Sequence, residues 1–298
     1  LILKTFAPVA ETMRDQSRAR RYRAAAKRLR TSINPHGWDG DYYFGATKDN
    51  GERIGSARNR QGKVWLNTQT WSILADVADP DRAQQVFDGV EKKLEGKNGT
   101  LLLAPAYSTP DPDIGYLTRY AAGMRENGGV YTHAATWSIL AAAKIGRADA
   151  AFRMFQKINP ILLGGRPQEY VAEPYVTPGN IEGPDSRFYG KGGWTWYTGS
   201  ATWLFKAGVE GILGVKASTN GLVVEPCIPS SWKQYRVKRL FRGATYHITV
   251  RNPKGRNAGI ARAFVNDVPL DVRAGSRSVV LPVCRKGNEC RVEIVLGG

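Results

Sequence analysis

Thr70-Trp71-Ser72-Ile73-Leu74-Ala75 returns almost letter for letter as Thr136-Trp137-Ser138-Ile139-Leu140-Ala141, and more loosely as Thr202-Trp203-Leu204-Phe205-Lys206-Ala207. The step from Trp71 to Trp137 is 66 residues, and so is the step from Trp137 to Trp203. Self-similarity at a fixed period marks a repeated supersecondary unit. Each copy opens a stretch of small and apolar residues suited to a packed helix. A second helical stretch lies between copies. Asp79-Pro80 supplies an N-cap followed by proline at the first helical position, ahead of Ala83, Val86, Val90 and Leu94 at helical spacing. Ala148 to Ile158 repeats that arrangement, with Phe152 and Phe155 on one face. Each unit therefore reads as a helix pair, joined to the next by long loops rich in glycine, proline and aromatic residues. Helix pairs repeated about an axis form an open solenoid or a closed toroid, and long loops on one rim favour the toroid. The repeats account for about half of a six-pair ring.

The pattern changes after Gly214. Gly221-Leu222-Val223-Val224-Glu225 and Gln234-Tyr235-Arg236-Val237-Lys238 read as strands. From Thr245 to Arg251, Tyr246, Ile248 and Val250 alternate with polar residues, the period of a half-buried strand. Ala261 to Val265, Ser278 to Leu281 and Arg291 to Leu296 continue the series, with turn residues between. The predicted organisation is thus mainly α with a β module: helical repeats over 1–213, then a β-sandwich-like domain over 214–298.

Bulk properties narrow the classes. The chain has 298 residues, 42% of them apolar, and no apolar run long enough for a membrane helix. Leu1-Ile2-Leu3-Lys4-Thr5 lacks the layout of a secretion signal and reads as the inside of a helix, so further polypeptide is expected before it. The net charge of +17 raises the question of nucleic acid. The densest basic run, Arg18 to Arg30, alternates with alanines and suits a helix with a wet basic face, and no nucleic-acid-binding motif accompanies it. That charge also suits the collection of anionic substrates. Cys227 sits in a strand-like stretch as a small hydrophobe. Cys284 and Cys290 flank a plausible hairpin and are expected as reduced thiols rather than a bridge. No residue pattern suggests a metal site.

Three loops gather groups that a core does not need. Gly37-Trp38-Asp39-Gly40-Asp41-Tyr42-Tyr43-Phe44 places rings beside carboxylates, which suits either sugar recognition or a capped turn. Arg125-Glu126-Asn127-Gly128-Gly129-Val130-Tyr131-Thr132-His133-Ala134 runs into the second repeat helix, placing His133 near a helix N-terminus, where free N–H groups favour an anion. Gly192-Gly193-Trp194-Thr195-Trp196-Tyr197-Thr198-Gly199-Ser200-Ala201 runs into the third repeat helix in the same way. Thr198 or Ser200 alone reads as an N-cap. Two consecutive helix starts of this kind point to a shared pocket for an anion and a sugar.

Glu126-Asn127-Gly128-Gly129, Thr132-His133-Ala134, Glu173-Pro174-Tyr175 and Trp196-Tyr197-Thr198-Gly199-Ser200 resemble glycoside hydrolase family 94, as do Gly37-Trp38-Asp39-Gly40 and Pro226-Cys227-Ile228-Pro229. The likeness runs along nearly the whole chain. It implies the second half of an (α/α)6 barrel followed by a small β domain, in a cytoplasmic homodimer. It implies an inverting reaction in which phosphate attacks the anomeric carbon of a β-linked gluco-disaccharide and releases α-glucose 1-phosphate. Inorganic phosphate is the co-substrate, with no metal or organic cofactor. His133, Thr198 and Gly199 look like the phosphate ligands, and Glu126 like a sugar ligand, with Arg125 and Tyr131 beside it. The family's general acid, an Asp in a Trp-Asn-Asp-type motif, has no counterpart in this chain, so no catalytic residue is assigned and the missing N-terminal portion of the enzyme is the expected partner. Arg187 and Lys191 are candidate readers of an acceptor carboxylate, which would favour cellobionate, or else plain surface charges. The alternatives are a β-1,2-glucan synthase or oligoglucan phosphorylase module, a non-catalytic carbohydrate-binding protein and, third, a nucleic-acid binder.

Overall fold

Helices form where the repeat predicts them. In the computed structural model α1 (Ile2–Thr12) and α2 (Gln16–His36) are followed by α3 (Leu66–Leu74), α4 (Pro80–Lys93), α5 (Thr132–Lys144) and α6 (Ala148–Ile158). Two single-turn helices, α7 (Pro160–Leu163) and α8 (Pro167–Tyr170), precede α9 (Thr198–Lys206). The description covers residues 1–273 and 275–297. These form two units by chain contact, Leu1–Ala141 with Lys157–Ala201, and Ala142–Gln156 with Thr202–Gly298.

In the first unit, α4 begins as its sequence dictates. The Asp79 carboxylate accepts the Arg82 N–H at 3.0 Å, and Pro80 occupies the first turn, where a missing N–H costs nothing. Ala83, Val86, Phe87 and Val90 form its buried stripe. The basic helix α2 is capped likewise by Asp15, whose carboxylate accepts the Arg18 N–H at 2.9 Å. Only Ala19 of α2 is buried, so its arginines and lysines form a solvated face, and Arg23 grips Glu11 of α1 with both terminal nitrogens. The tryptophans of the first two repeats meet edge to face, Trp71 against Trp137 with ring centroids 5.2 Å apart.

The second unit carries the β module. Strands Gln234–Phe241, Ala244–Arg251, Glu289–Leu296, Ile260–Val265 and Val268–Pro269 lie side by side in that order. Ala244–Arg251 and Glu289–Leu296 pair in parallel, and the other neighbours are antiparallel. Tyr246, Ile248 and Val250 turn inward with Val292 and Ile294, as the alternation requires. A second sheet joins Val215–Ala217, Leu222–Val224 and Val279–Leu281. Two expectations are corrected. Cys227 is buried but lies between strands, and burial pushes its thiol up to about 11. Cys284 and Cys290 are joined in a disulfide, because the turn at Arg285–Asn288 brings their Cα atoms to 6.8 Å. No helix among the described residues is long and apolar enough to cross a membrane.

Loss of the α4 cap is the simplest check of this local reading. Asp79→Ala is expected to cost about 1 kcal/mol of stability by urea denaturation, and Asp79→Ser to recover most of it.

Candidate functional site

A strand pair and its neighbour bring the two helix starts together. Val130–Tyr131 pairs with Asn180–Ile181, which pairs in turn with Gly192–Gly193. Val130–Tyr131 leads directly into α5, and Gly192–Gly193 lies five residues before α9. The Thr132 N–H donates to Gly179 O at 3.0 Å, and the Tyr197 N–H donates to Thr177 O at 3.1 Å. One segment, 177–181, therefore holds both starts. The phenols of Tyr131 and Tyr197, each immediately before its helix, share a hydrogen bond of 2.8 Å. These two tyrosines stand one 66-residue repeat apart, as do His133 and Gly199.

His133 and Gly199 meet directly. A Cβ at Gly199 would stand 3.3 Å from His133 Nδ1 and 3.4 Å from Cε1, so the imidazole lies against the bare backbone of the first turn of α9. Trp137, one turn further along α5, closes on the imidazole edge to face at 4.9 Å. Burial lowers the imidazole from its ordinary range. Ser200 serves the fold: its hydroxyl donates to Tyr197 O at 2.8 Å and approaches Pro178 O at 3.2 Å. Burial, followed by the bond to Tyr197, raises the Tyr131 phenol, which stays protonated. Two helix starts are thus held side by side with the His133 imidazole at their junction, a setting suited to an anion.

The Arg125–Glu126 turn adjoins it. Arg125 Nε and Glu126 Oε2 stand 3.6 Å apart, with about a third of each side chain exposed (34% and 29%). The Arg125 guanidinium lies 4.0 Å from the centre of the Trp194 ring and 4.7 Å from that of Tyr120. Trp194 in turn packs on Tyr197 at 4.7 Å and Tyr131 at 6.3 Å. The glycine pair beside this turn is needed for space. A Cβ at Gly129 would stand 2.3 Å from Asn180 Oδ1, and one at Gly128 2.7 Å from the Ala106 Cβ.

Other candidates go elsewhere. Asp39 is spent on its own loop, accepting from Arg53 at 3.0 Å, the Ser56 hydroxyl at 2.8 Å and the Ala57 N–H at 2.7 Å. Trp38 packs on Tyr43 and under Arg82, so the structure supports the capped-turn reading of Gly37–Phe44. Arg187 and Lys191 both lie over the Phe188 ring, at 4.6 and 4.9 Å. No group of three or more His, Cys, Asp or Glu side chains among the described residues has the spacing of a metal site.

Sequence reasoning missed Asn127, Trp194 and Tyr120 as functional supports. Asn127 is fully buried. Its Oδ1 accepts the Tyr107 N–H at 2.7 Å, and its Nδ2 donates to Tyr107 O at 2.9 Å and Tyr120 O at 2.8 Å. Its place before Gly128-Gly129 was the available signal.

Two outcomes follow from this geometry. Asn127→Ala should cost about 2–4 kcal/mol in urea denaturation, because it strands two buried backbone groups of Tyr107 and the part-buried carbonyl of Tyr120. The unfolded chain protonates His133 near the ordinary imidazole value of about 6.5, and the folded chain only at lower pH. The stability this contributes is full above that value and is lost as pH falls below it. The decline in melting temperature between about pH 7 and pH 5 should therefore shrink in His133→Gln; an identical decline would contradict the burial argument.

Comparison with known proteins bears on this arrangement. The model of the glycosyl hydrolase 94 superfamily, catalytic domain, matches residues 1–214. N,N'-diacetylchitobiose phosphorylase of Vibrio proteolyticus is 34% identical over 297 residues, covering 99% of this chain and 36% of that protein. Solabiose phosphorylase of Paenibacillus borealis is 35% identical over 256 residues, 86% of this chain and 33% of its own length. The cyclic beta-(1,2)-glucan synthase of Rhizobium meliloti is 39% identical over 253 residues, 83% of this chain and 9% of its length. The chain spans about a third of the length of the phosphorylases it matches, 36% and 33%.

Proposed function

Because the chain belongs to the glycosyl hydrolase 94 superfamily, we propose that it forms the phosphate-binding side of an inverting glycoside phosphorylase. In this reading a phosphate oxygen attacks the anomeric carbon of a β-linked gluco-disaccharide. The glycosidic C–O bond breaks, and the leaving oxygen takes a proton from a general acid that this chain does not supply. The products are α-glucose 1-phosphate and a free sugar or sugar acid. The observation that carries the proposal is the His133 imidazole set against the Gly199 backbone at two joined helix starts. Thr198, at the first residue of α9, completes the phosphate ligands. Glu126, with Arg125 and Tyr131, takes the sugar.

The helical part over 1–213 is then half of an (α/α)6 barrel, with a β domain over 214–298, in a cytoplasmic homodimer with the remaining polypeptide as partner. For the acceptor we favour cellobionate, since Arg187 and Lys191 place two cations about one ring, where they can meet a carboxylate. A second reading, action on β-1,2-linked glucan, is favoured by the 39% identity with the cyclic glucan synthase.

Calorimetry on the 298-residue chain tests the proposal. Phosphate should bind, and His133→Ala and Thr198→Ala should each weaken it by about tenfold, the loss of one charge-assisted contact. The chain alone should not turn over cellobiose or cellobionate with phosphate; turnover would sink the assignment of the acid to another segment. Tighter binding of cellobionate than of cellobiose or sophorose, lost in Arg187→Ala, would support the acid reading, and a preference for sophorose the β-1,2 reading.

A further inference from the structure

Arg125 and Trp194 are both held in backbone conformations that their side chains disfavour. Arg125 has φ +49° and Trp194 has φ +57°, in the left-handed region where a Cβ is crowded. Hydrophobic burial does not account for the strain at Trp194, whose residue is 47% exposed. Its placement is nonetheless tightly specified. The Gly179 N–H donates to Trp194 O at 2.8 Å, and a Cβ at Gly179 would stand 2.5 Å from the indole Cε3. The indole therefore rests on a glycine backbone and can approach no closer to the strand. Tyr197 and Tyr131 line its flank. What the ring reaches from this position is the Arg125 guanidinium, at 4.0 Å from the ring centre.

We infer that Trp194 is a positioning residue for Arg125. A flexible side chain with a mobile charge binds poorly, since ordering it costs rotamer freedom on each encounter. The faces of Trp194 and Tyr120 remove that freedom in advance, through cation–π attraction in a partly desolvated setting. The fixed cation then stands beside the Glu126 carboxylate at 3.6 Å, too far for a hydrogen bond. Arg125 offers donors only and Glu126 acceptors only, and both are partly open to solvent. Hydroxyl groups of a pyranose, each a donor and an acceptor, fit such a pair. The inference rests on the reading of Arg125 and Glu126 as sugar ligands. It adds that the loop leading into α9 controls sugar affinity through a residue assigned no contact with phosphate.

The test uses the 298-residue chain titrated separately with cellobiose and with phosphate. Trp194→Ala should lower cellobiose affinity by about tenfold while phosphate affinity stays within about twofold. Trp194→Phe keeps a ring face and should recover most of the loss. Arg125→Lys, which keeps the charge but lacks a flat face for stacking, should resemble Trp194→Ala. NMR supplies a reading independent of ligand: the Arg125 side-chain protons should be shifted upfield by the ring in the native chain and should lose that shift in Trp194→Ala. Unchanged cellobiose affinity in Trp194→Ala, equal loss of both ligands, or failure of Trp194→Phe to rescue would each overturn the inference. So would a native chain that binds no cellobiose. A chain that binds cellobiose but not phosphate would remove the phosphate reading and leave this one standing.

Discussion

The site depends on a hydrogen-bonded constraint of very few residues, the capture of two helix starts by segment 177–181. Thr132 donates to Gly179, Tyr197 donates to Thr177, and the two tyrosines before the helices bond to each other. Each helix start carries N–H groups with no partner inside its helix, and one start alone is an ordinary place for a serine or threonine cap. Two starts fixed side by side are different. They bring the positive ends of two helices close together, a setting of the kind that favours an anion. The glycine at 199 lets the imidazole from the neighbouring start approach the backbone, since a Cβ there would meet the ring at 3.3 Å.

The aromatic residues around this constraint have a second task. Trp194 belongs to the loop that leads into α9, yet its ring serves the turn that precedes α5. A change in one loop is therefore felt in the other. One small sheet thus fixes the relative placement of the two loops. Strained backbone at Arg125, Trp194 and Trp196 fits that view, since conformations of this kind persist where the surroundings over-determine them.

Much of this was legible in the sequence, for reasons that differ by element. The 66-residue period located α3, α5 and α9, each of which carries one copy of the repeat. Alternation found the strand Ala244–Arg251 because Tyr246, Ile248 and Val250 form one buried face. The N-cap at Asp79 is a local signal and needs no tertiary information. Other features depend on groups far apart in the chain and have no local signature. Trp194 is placed against Gly179, which donates its N–H to the Trp194 carbonyl, and Asn127 is defined by the carbonyls of Tyr107 and Tyr120. The loop at Gly37–Phe44 shows the opposite failure: its rings and carboxylates suit a sugar equally well on paper, but the structure turns Asp39 back onto Ser56 and Ala57. The expected reduced thiols failed for a similar reason, since composition does not reveal that the turn between Cys284 and Cys290 brings them within bonding reach.

We propose that one anion is held jointly by His133 and the first turn of α9. Phosphate titration of the isotopically labelled chain, followed at the His133 ring nitrogens and the Gly199 amide, tests it most directly. Both signals should move together and fit a single dissociation constant. Independent constants for the two residues, or movement of neither, would contradict it.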